Sequence, residues 1–514
     1  MRASIERGRR WMNADYGGVV NSMKRLACIA SGVILLLVLA SCGGGGGGAI
    51  SSDPADTSGT PPTGDTYPAQ IDRTEVTQTG NVFYVDPATG AIGNSGSSSS
   101  PWNTLQAVIA ANKIESQEPV SLPYTEGAAL KAKNAGAPVR AGDTLVLRAG
   151  HHGSVDILRY FNAQHINVIA EPGATVSKLQ VTGASKWRFK GLTVRPDAGN
   201  TSQYALVFLE SHSWSGPTSD ITIDDFNIYT VENAAVSWST TDGTDWNTKS
   251  CNGIAAFGNN MTLRRNTLKN VNFGITVQGN YALVSGNTVE NFAGDGMRGL
   301  GNDMFFEYNL VKNLYVVNDN HPDGFQSWSI NDDPPRERVV LRGNTFINYT
   351  DPNQPFRGSL QGIGCFDGPY VDWIVENNVV ITDHWHGISL YGARNSRIVN
   401  NTVIDLNAVS PGPPWIGFFN HKDGTPSSNC VIRNNIAHTI TAGEGSVADH
   451  NYLIPSDSAY STLFVDHQNF NLHLKAGAPA IDAGSASLAP VIDKDGHARP
   501  QGSAVDIGAY EYSP

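Results

Sequence analysis

Short runs of β-branched and aromatic residues recur along this chain, and many of them follow a polar turn that contains an asparagine. The clearest copies read hydrophobic, polar, polar, Asn and then a run, and their asparagines are Asn266, Asn287, Asn309, Asn344, Asn378, Asn401 and Asn435. Successive asparagines are 21, 22, 35, 34, 23 and 34 residues apart. A base period near 22 built from short strands is typical of a β-solenoid, and the longer intervals indicate insertions.

A second pattern keeps phase with the asparagines, because a glycine followed by an apolar run occurs once in each coil. These glycines are Gly253, Gly274, Gly296, Gly324, Gly362 and Gly387. Two marks per coil with strands between them predict a parallel β-helix with three short sheets. Stacked asparagines would satisfy the turns of neighbouring coils, so we interpret them as structural.

A solenoid needs capped ends, because an exposed strand edge recruits other chains. We predict a short N-terminal capping helix around residues 102–112, where Leu105, Val108 and Ile109 fall on one face. The coil period ends near residue 451, and residues 452–514 carry the Pro, Gly and Asp turns of a second cap.

Composition supports an elongated repeat protein. The chain has 44 asparagines, 28 of them between residues 251 and 450, and only 16% of its 514 residues are charged. Long helical bundles and coiled coils would need more Glu, Lys, Arg and Ala. A hydrophobic content of 40% argues against wholesale disorder.

The N-terminal segment predicts export. Met23, Lys24 and Arg25 precede an apolar run over residues 26–40, which is too short for a comfortable membrane span and typical of a signal peptide. The residues 39–42, Leu-Ala-Ser-Cys, resemble the lipobox of bacterial lipoproteins, which predicts lipidation of Cys42 and outer-membrane anchoring. An ordinary signal peptide is the alternative. We expect translation to begin at Met23.

The remaining boundaries follow from composition. Residues 1–42 comprise the extension, signal peptide and lipobox, and residues 43–79 form a flexible Gly/Ser/Pro/Thr linker. The β-helix with its N-terminal cap occupies residues 80–451, followed by the C-terminal cap. Beyond residue 41 the chain has 29 basic and 45 acidic residues, a net charge of −16. We therefore expect no nucleic-acid partner, no membrane contact except through the anchor, and a monomer.

Both ends of the β-helix resemble a known group. Phe83-Tyr84-Val85-Asp86, residues 101–106 and residues 141–150 resemble the opening of secreted bacterial right-handed parallel β-helix proteins. Residues 477–484 and 506–512 are similar to their closing segment. Many of these proteins are polysaccharide lyases of the chondroitinase B and alginate lyase type. The resemblance implies a right-handed helix and carbohydrate as partner, although non-catalytic surface proteins share both ends.

The regular spacing of these glycines also identifies candidate binding residues. Insertions at residues 312–340, 349–371 and 404–430 flank the strands that begin at those glycines, and insertions in solenoids often line the binding side. Residues two and four beyond the glycines would face outward by alternation. The candidates with sugar-binding side chains are Gln278, Arg298, Gln326, Trp328, Ser389 and Tyr391.

The candidate catalytic residues come directly before the glycines. His321-Pro322-Asp323-Gly324 and His384-Trp385-His386-Gly387 share the form His-x-Asp/His-Gly, and Asp295 lies one coil before Asp323. Adjacent strands are about 4.8 Å apart, so Asp295 and Asp323 would form a close pair. Strict alternation turns these residues inward, whereas a bend at the glycine turns them outward, and the sequence leaves both open.

Three reactions fit these residues. β-Elimination from a uronate needs a base, His321 or His386, and a positive group such as Arg298 to stabilise the enolate-like intermediate. Asp295 or Asp323 would be a ligand if Ca²⁺, the one cofactor that this reaction suggests, took part. C5 epimerisation would use the same groups, and glycoside hydrolysis would use the two carboxylates.

The sequence favours a lyase acting on an acidic polysaccharide in the cell envelope, with His384 among the substrate-binding residues. The lysine that accompanies arginine in chondroitinase-like lyases has no convincing counterpart, and Lys422 is the nearest candidate. A non-catalytic carbohydrate-binding or adhesive protein is the alternative from another class.

Overall fold

A computed structural model of the chain describes residues 72–197, 203–329, 334–407 and 409–513. The predicted signal segment, Cys42 and most of the linker lie outside the described residues, and what the sequence indicates about them stays a prediction. Within the described ranges, no helix is both long enough and apolar enough to cross a membrane.

The described chain forms a right-handed parallel β-helix with three long sheets, which confirms the predicted fold. Each strand pairs in parallel with the strand one coil further on, as Ile275 pairs with Met297. The first sheet contains, in order, Val82–Val85, Thr144–Leu147, Phe161–Ala170, Ser185–Lys190, Ser219–Asp224, Asn259–Arg264, Leu283–Ser285, Met304–Glu307, Val339–Arg342, Ile374–Glu376, Arg397–Val399, Val431–Arg433 and Val447–Asp449.

The other two long sheets run beside the first. The second sheet contains Gly150–His151, Ala174–Val176, Thr193–Val194, Asn227–Tyr229, Thr267–Val271, Thr288–Phe292, Leu310–Leu314, Thr345–Ile347, Val379–Thr382, Thr402–Asp405, Ile436–Ala437 and Tyr452–Leu453. The third sheet contains Ser154–Leu158, Lys178–Thr182, Ala205–Glu210, Asn252–Phe257, Ile275–Gln278, Met297–Gly299, Asp323–Trp328, Gln361–Asp367, His386–Tyr391, Trp415–Phe419 and Thr439–Thr441.

Shorter elements decorate the coils. A small parallel sheet joins Arg336–Glu337, Tyr370–Val371 and Ala393–Arg394, while Ser116–Pro119 pairs with Leu130–Lys133 and Phe464–Asp466 with Asn471–Leu474 as antiparallel hairpins. The short α-helices are Leu105–Ala110, Ala234–Ser237, Thr244–Lys249 and Tyr460–Leu463.

The core is a continuous apolar column enclosed by the three sheets. In the strand Ala205–Glu210, Val207 and Leu209 are fully buried, whereas Phe208 and Glu210 reach the outer surface. The same alternation in successive coils stacks buried aromatic rings such as Phe306, Phe325 and Phe346 along the axis. Each interior strand of these sheets is hydrogen-bonded to a neighbour on both sides, so burial of this column leaves the backbone amides of those strands with partners.

The asparagine ladder is present and structural, as predicted. From Asn266 to Asn435, each side-chain Nδ2 donates to the Oδ1 of the next asparagine at 2.8–3.0 Å. The ladder continues to Asn451, one rung beyond the predicted set. Each Oδ1 also accepts a backbone N–H from the preceding coil, as Asn344 does from Asn309 at 3.0 Å. The turn is thereby satisfied without water.

The N-terminal cap matches its prediction. Leu105–Ala110 forms the helix, and Leu105 and Val108 are buried against the first coils. Thr104 precedes it with extended backbone and accepts the N–H of Ala107 at 3.1 Å, which is the bond of a helix N-cap. Buried Trp102 and Val85 belong to the same apolar core.

Candidate functional site

A stack of glycines decides which way the candidate catalytic residues face. A Cβ at Gly324 would point inward and lie 2.5 Å from Cδ1 of Phe346 and 2.7 Å from the carbonyl oxygen of Gly362. The next residue, Phe325, is also inward and fully buried. Two successive inward positions break the alternation of the strand, so Asp323 lies on the outer side. Of the two orientations that the sequence leaves open, the structure adopts the outward one.

Two rows of side chains follow from this bend along the outer face of the third sheet. The pre-glycine row contains Phe273, Asp295, Asp323, Gln361, His386 and Trp415. The post-glycine row contains Thr276, Arg298, Gln326, Gly364, Ser389 and Gly417. The predicted groove residues Arg298, Gln326 and Ser389 are therefore register partners on one face.

One end of the site is built around Arg298. Its Nε donates to Oδ2 of Asp295 at 2.5 Å, and the guanidinium lies 3.7 Å from the ring centroid of Phe273 and 5.5 Å from that of Trp328. The Arg298 side chain is 16% exposed. Its two Nη atoms make no hydrogen bond with the described residues, so they remain available for an anionic ligand.

Asp323 lies one coil further along and is held from three sides. Its Oδ2 accepts from Nε2 of Gln326 at 2.9 Å and lies 3.3 Å from Nδ1 of His321, and its backbone N–H donates to Oδ1 of Asp295 at 2.9 Å. The carboxylate itself is fully buried, whereas the His321 side chain is 60% exposed. A Cβ at Gly364 would overlap Oδ1 of Asp323, so this glycine leaves the space that the carboxylate occupies.

The pair of His321 and Asp323 stabilises a protonated imidazole. Partial desolvation of the ring by its packed neighbours opposes its charge, but the hydrogen bond to Asp323 and the charges of Asp323 and Asp295 outweigh this effect and raise the pKa of His321 to about 9. Nε2 of His321 lies 2.7 Å from the amide nitrogen of Gln361, whose Oε1 is buried without a partner among the described residues. Exchanging the two amide atoms gives the imidazolium a second acceptor.

His386 has the opposite electrostatic environment. Burial first, and then the neighbouring His384 and His321, lower the pKa of His386 to about 3. The same effects of burial and His321 lower the pKa of His384 to about 4. His386 is therefore neutral near pH 7.

The neutral imidazole of His386 is held in a fixed orientation. Its Nδ1 lies 2.9 Å from Oγ of Ser389, which also accepts from Nε1 of Trp415 at 2.9 Å. Its backbone N–H donates to Nδ1 of His384 at 3.1 Å, and the two histidine rings stack with centroids 5.3 Å apart. Ser389 is fully buried, so it positions His386 instead of contacting a ligand directly.

An aromatic wall separates the two histidines. The Phe366 ring lies 5.7 Å from that of His321, 4.7 Å from that of His386 and 5.5 Å from that of Tyr391. Tyr391 in turn stacks on Phe419 at 4.9 Å. Gln326, Trp328 and Tyr391 are half-buried at the surface and Gln278 is exposed, which suits their predicted roles in binding.

The carboxylate pair does not present a cation site. Both oxygens of Asp295 already accept hydrogen bonds, from Arg298 and from the Asp323 backbone, and Asp323 is covered. Among the described residues, no three His, Cys, Asp or Glu side chains come together in a way that could hold a metal ion. The requirement for Ca²⁺ stays a prediction. Lys422 pairs with Asp367 at 2.6 Å on the exposed rim.

Several residues of the site were not predicted. Gln361 and Phe273 precede Gly362 and Gly274 just as Asp323 precedes Gly324, so the glycine alignment contained their signal. Trp415 pairs with His386 in register but begins a coil without that glycine, so only the folded structure places it in the site. Phe366 lies four residues beyond Gly362, at a position expected to face outward, but its place between two histidines depends on the fold.

Comparison with known sequences finds no matching family model and no matching curated protein. Similar solved structures include pectate lyase Pel9A, 16% identical with a TM-score of 0.42 over 85% of this chain and 97% of that one. The A-module of mannuronan C-5 epimerase AlgE6 of Azotobacter vinelandii is 12% identical, with a TM-score of 0.44 over 62% and 92%. A rhamnogalacturonan lyase is 12% identical, with a TM-score of 0.37 over 76% and 94%. At this identity, the likeness concerns the β-helix alone.

Proposed function

We propose that the chain is a polysaccharide lyase that cleaves a uronate-containing polymer by β-elimination on the outer face of the third sheet. One observation carries the proposal. His386 and His321 flank Phe366, and their environments move the two pKa values in opposite directions. Pairs of titratable groups whose pKa values diverge in this way supply the base and the acid of proton-transfer enzymes.

The roles follow from the protonation states. Neutral His386 takes the proton from C5 of the uronate, and the electron pair forms the C4–C5 double bond as the C4–oxygen bond breaks. The imidazolium of His321 gives its proton to the departing sugar oxygen. The strand of Arg298 lies three spacings, about 14 Å, from that of His386, so the Nη atoms of Arg298 bind the carboxylate of another uronate along the same chain and position the polymer. Atoms and charge balance with no further reactant.

Hydrolysis by the carboxylate pair is less consistent with the geometry. A glycosidase needs two accessible carboxyl groups on either side of the bond. Asp295 is 2% exposed and paired with Arg298, and Asp323 is fully buried beneath His321 and Gln326. C5 epimerisation remains the second candidate, because Tyr391 beside His386 could return the proton from the other face.

The experiment is turnover of a panel of alginate, pectate and chondroitin, each with and without Ca²⁺. We expect ultraviolet absorbance from the unsaturated uronate, and a loss of about 10²–10⁴-fold in kcat for His386→Ala. His151→Ala is the control, since that half-exposed histidine lies in the second sheet. Reducing ends without the absorbance would identify a hydrolase, proton exchange without cleavage an epimerase, and binding without either a non-catalytic adhesin.

We also propose that the protein is an outer-membrane lipoprotein anchored through Cys42 and otherwise monomeric. The support is the basic segment, the apolar run and the Leu-Ala-Ser-Cys sequence at residues 39–42. In bacteria fed a labelled fatty acid, the wild-type chain should carry the label and Cys42→Ala should not. Labelling of both would contradict the assignment.

A further inference from the structure

Three aromatic rings lie on the outer face of the third sheet at some distance from the candidate active site. Tyr204, Phe208 and Phe257 pack against one another with centroids 5.2, 5.5 and 6.3 Å apart. Tyr204 is 52% exposed, and Phe208 and Phe257 are half-buried. Ala255, beneath them, is 1% exposed. Exposed apolar patches of this kind usually mark a binding surface.

The patch lies on the same rows as the active site. Phe208 pairs with Ala255, Ala255 with Thr276 and Thr276 with Arg298. Three strand spacings place Phe208 about 14 Å from the Arg298 strand. Phe257 likewise pairs with Gln278, whose exposed amide lies between the patch and the active site.

The coils between the patch and Arg298 have the base length of the repeat, without an insertion. Gly253, Gly274 and Gly296 are separated by 21 and 22 residues, whereas insertions lengthen the later coils beside His321 and His386. The face thus continues from the active site toward the patch without added loop residues in those coils. A linear ligand bound at Arg298 can extend over Thr276 and Gln278 to the aromatic rings.

From this continuity we propose that Tyr204, Phe208 and Phe257 form a distal sugar-binding subsite for the polysaccharide chain that Arg298 binds. The apolar C–H face of a pyranose ring fits an aromatic platform, and the phenol hydroxyl of Tyr204 suits the polar rim of such a site. The rings support one another, so little side-chain freedom is lost on binding. This inference rests on the proposed function for the identity of the ligand.

The distance between Arg298 and the aromatic platform sets a minimum length for a substrate that binds both. A chain that occupies both Arg298 and the aromatic platform extends over about 14 Å of sheet, which corresponds to a polymer or a long oligosaccharide. Binding energy from the platform would act far from the reacting bond and improve the capture of long chains. Short oligosaccharides that occupy only the groove beside Phe366 would gain no binding energy from the aromatic platform.

The test is affinity electrophoresis of the full chain in gels that contain alginate, pectate or chondroitin. We expect the double variant Tyr204→Ala, Phe257→Ala to bind the retarding polysaccharide about tenfold more weakly than wild type. Phe257→Tyr retains the ring and should bind normally. Trp214→Ala is the matched control, because Trp214 is also 52% exposed but lies in the turn after the strand Ala205–Glu210.

Turnover separates this inference from the proposed function. On a cleaved polymer, the double variant should raise KM and leave kcat unchanged, with no effect on a short oligosaccharide. If retardation in the gel depends on the rings but no polymer is cleaved, the subsite is supported and the lyase proposal is rejected. Unchanged retardation of the double variant, an equal loss in Trp214→Ala, or no retardation of the wild type by any of the polymers would overturn the subsite.

Discussion

At the scale of single residues, the site depends on two histidines whose surroundings differ. His321 is exposed but bonded to the buried carboxylate of Asp323, whereas His386 is enclosed by aromatic rings and another histidine. The first arrangement favours the imidazolium and the second favours the neutral ring. The two imidazoles therefore differ in protonation near pH 7.

The pH dependence of kcat/KM tests these protonation states. We expect activity to fall below about pH 3, where His386 gains a proton, and above about pH 9, where His321 loses one. The rate falls on both sides because the base acts only in its deprotonated form and the acid only in its protonated form. A rate profile that remains flat up to pH 10 would contradict the role of His321.

Gly364 offers a test that does not depend on turnover. In Gly364→Ala the new Cβ overlaps Oδ1 of Asp323, so the carboxylate must move away from His321. We expect the pKa of His321, followed by the NMR shift of its ring protons, to fall from about 9 toward its ordinary value. Gly93→Ala is the control, because a Cβ there meets no atom within 4 Å. An unchanged His321 titration in Gly364→Ala would show that Asp323 is not what raises its pKa.

At the scale of elements, the asparagine ladder holds successive turns in register. Asn344 donates to Oδ1 of Asn378 and to the carbonyl of Phe306, and its own Oδ1 accepts two bonds from Asn309. Since these groups are fully buried, the ladder is a line of hydrogen bonds that water cannot replace. Its contribution should depend on the position of the rung.

Replacing a central rung should destabilise the coil strongly. Asn344→Ala removes the acceptor of the Asn309 backbone N–H and of its side-chain Nδ2, at a cost of about 1–3 kcal/mol for each buried group. We expect a clear drop in the urea midpoint. Asn451→Ala, at the half-buried end of the ladder, should cost less. Equal losses at both positions would argue against burial as the source of the effect.

At the scale of the whole molecule, residues 72–81 cross the first sheet as a strap. Glu75 forms a two-bond ion pair with Arg265, Arg264 donates to the carbonyls of Arg73 and Thr74, and Asn81 donates to Asp143. Val76 is only 2% exposed. The strap therefore runs over a different sheet from the one that carries the candidate site, and it leaves the groove open.

The strap should depend more on its buried valine than on its exposed ion pairs, which contribute little in water. Val76→Asp would bury an unpaired charge and release the segment. We expect faster tryptic cleavage after Arg73 in this variant and a lower Tm, while turnover changes little. Val120→Asp is the control, because Val120 is 55% exposed. Protection of Arg73 in Val76→Asp would contradict the strap.

Most of the fold was predictable because a β-helix repeats one local pattern. The spacing of Asn266, Asn287 and Asn309 set the coil length, and their burial in one ladder follows from that spacing alone. A further ladder escaped prediction, although Asn270, Asn291 and Asn313 have the same period and the left-handed backbone that asparagine tolerates.

The sequence by itself determined the period, the capping helix, and the outer strand face that carries Arg298, Gln326 and Tyr391. Only the tertiary structure decided that Asp323 and His386 turn outward, because that depends on Gly324 and Gly387 packing against the side chains of other sheets. It alone decided the charges of His321 and His386. A pKa depends on burial and on charged neighbours, such as Asp295 for His321 and His321 for His386, and these residues come together only when the coils stack.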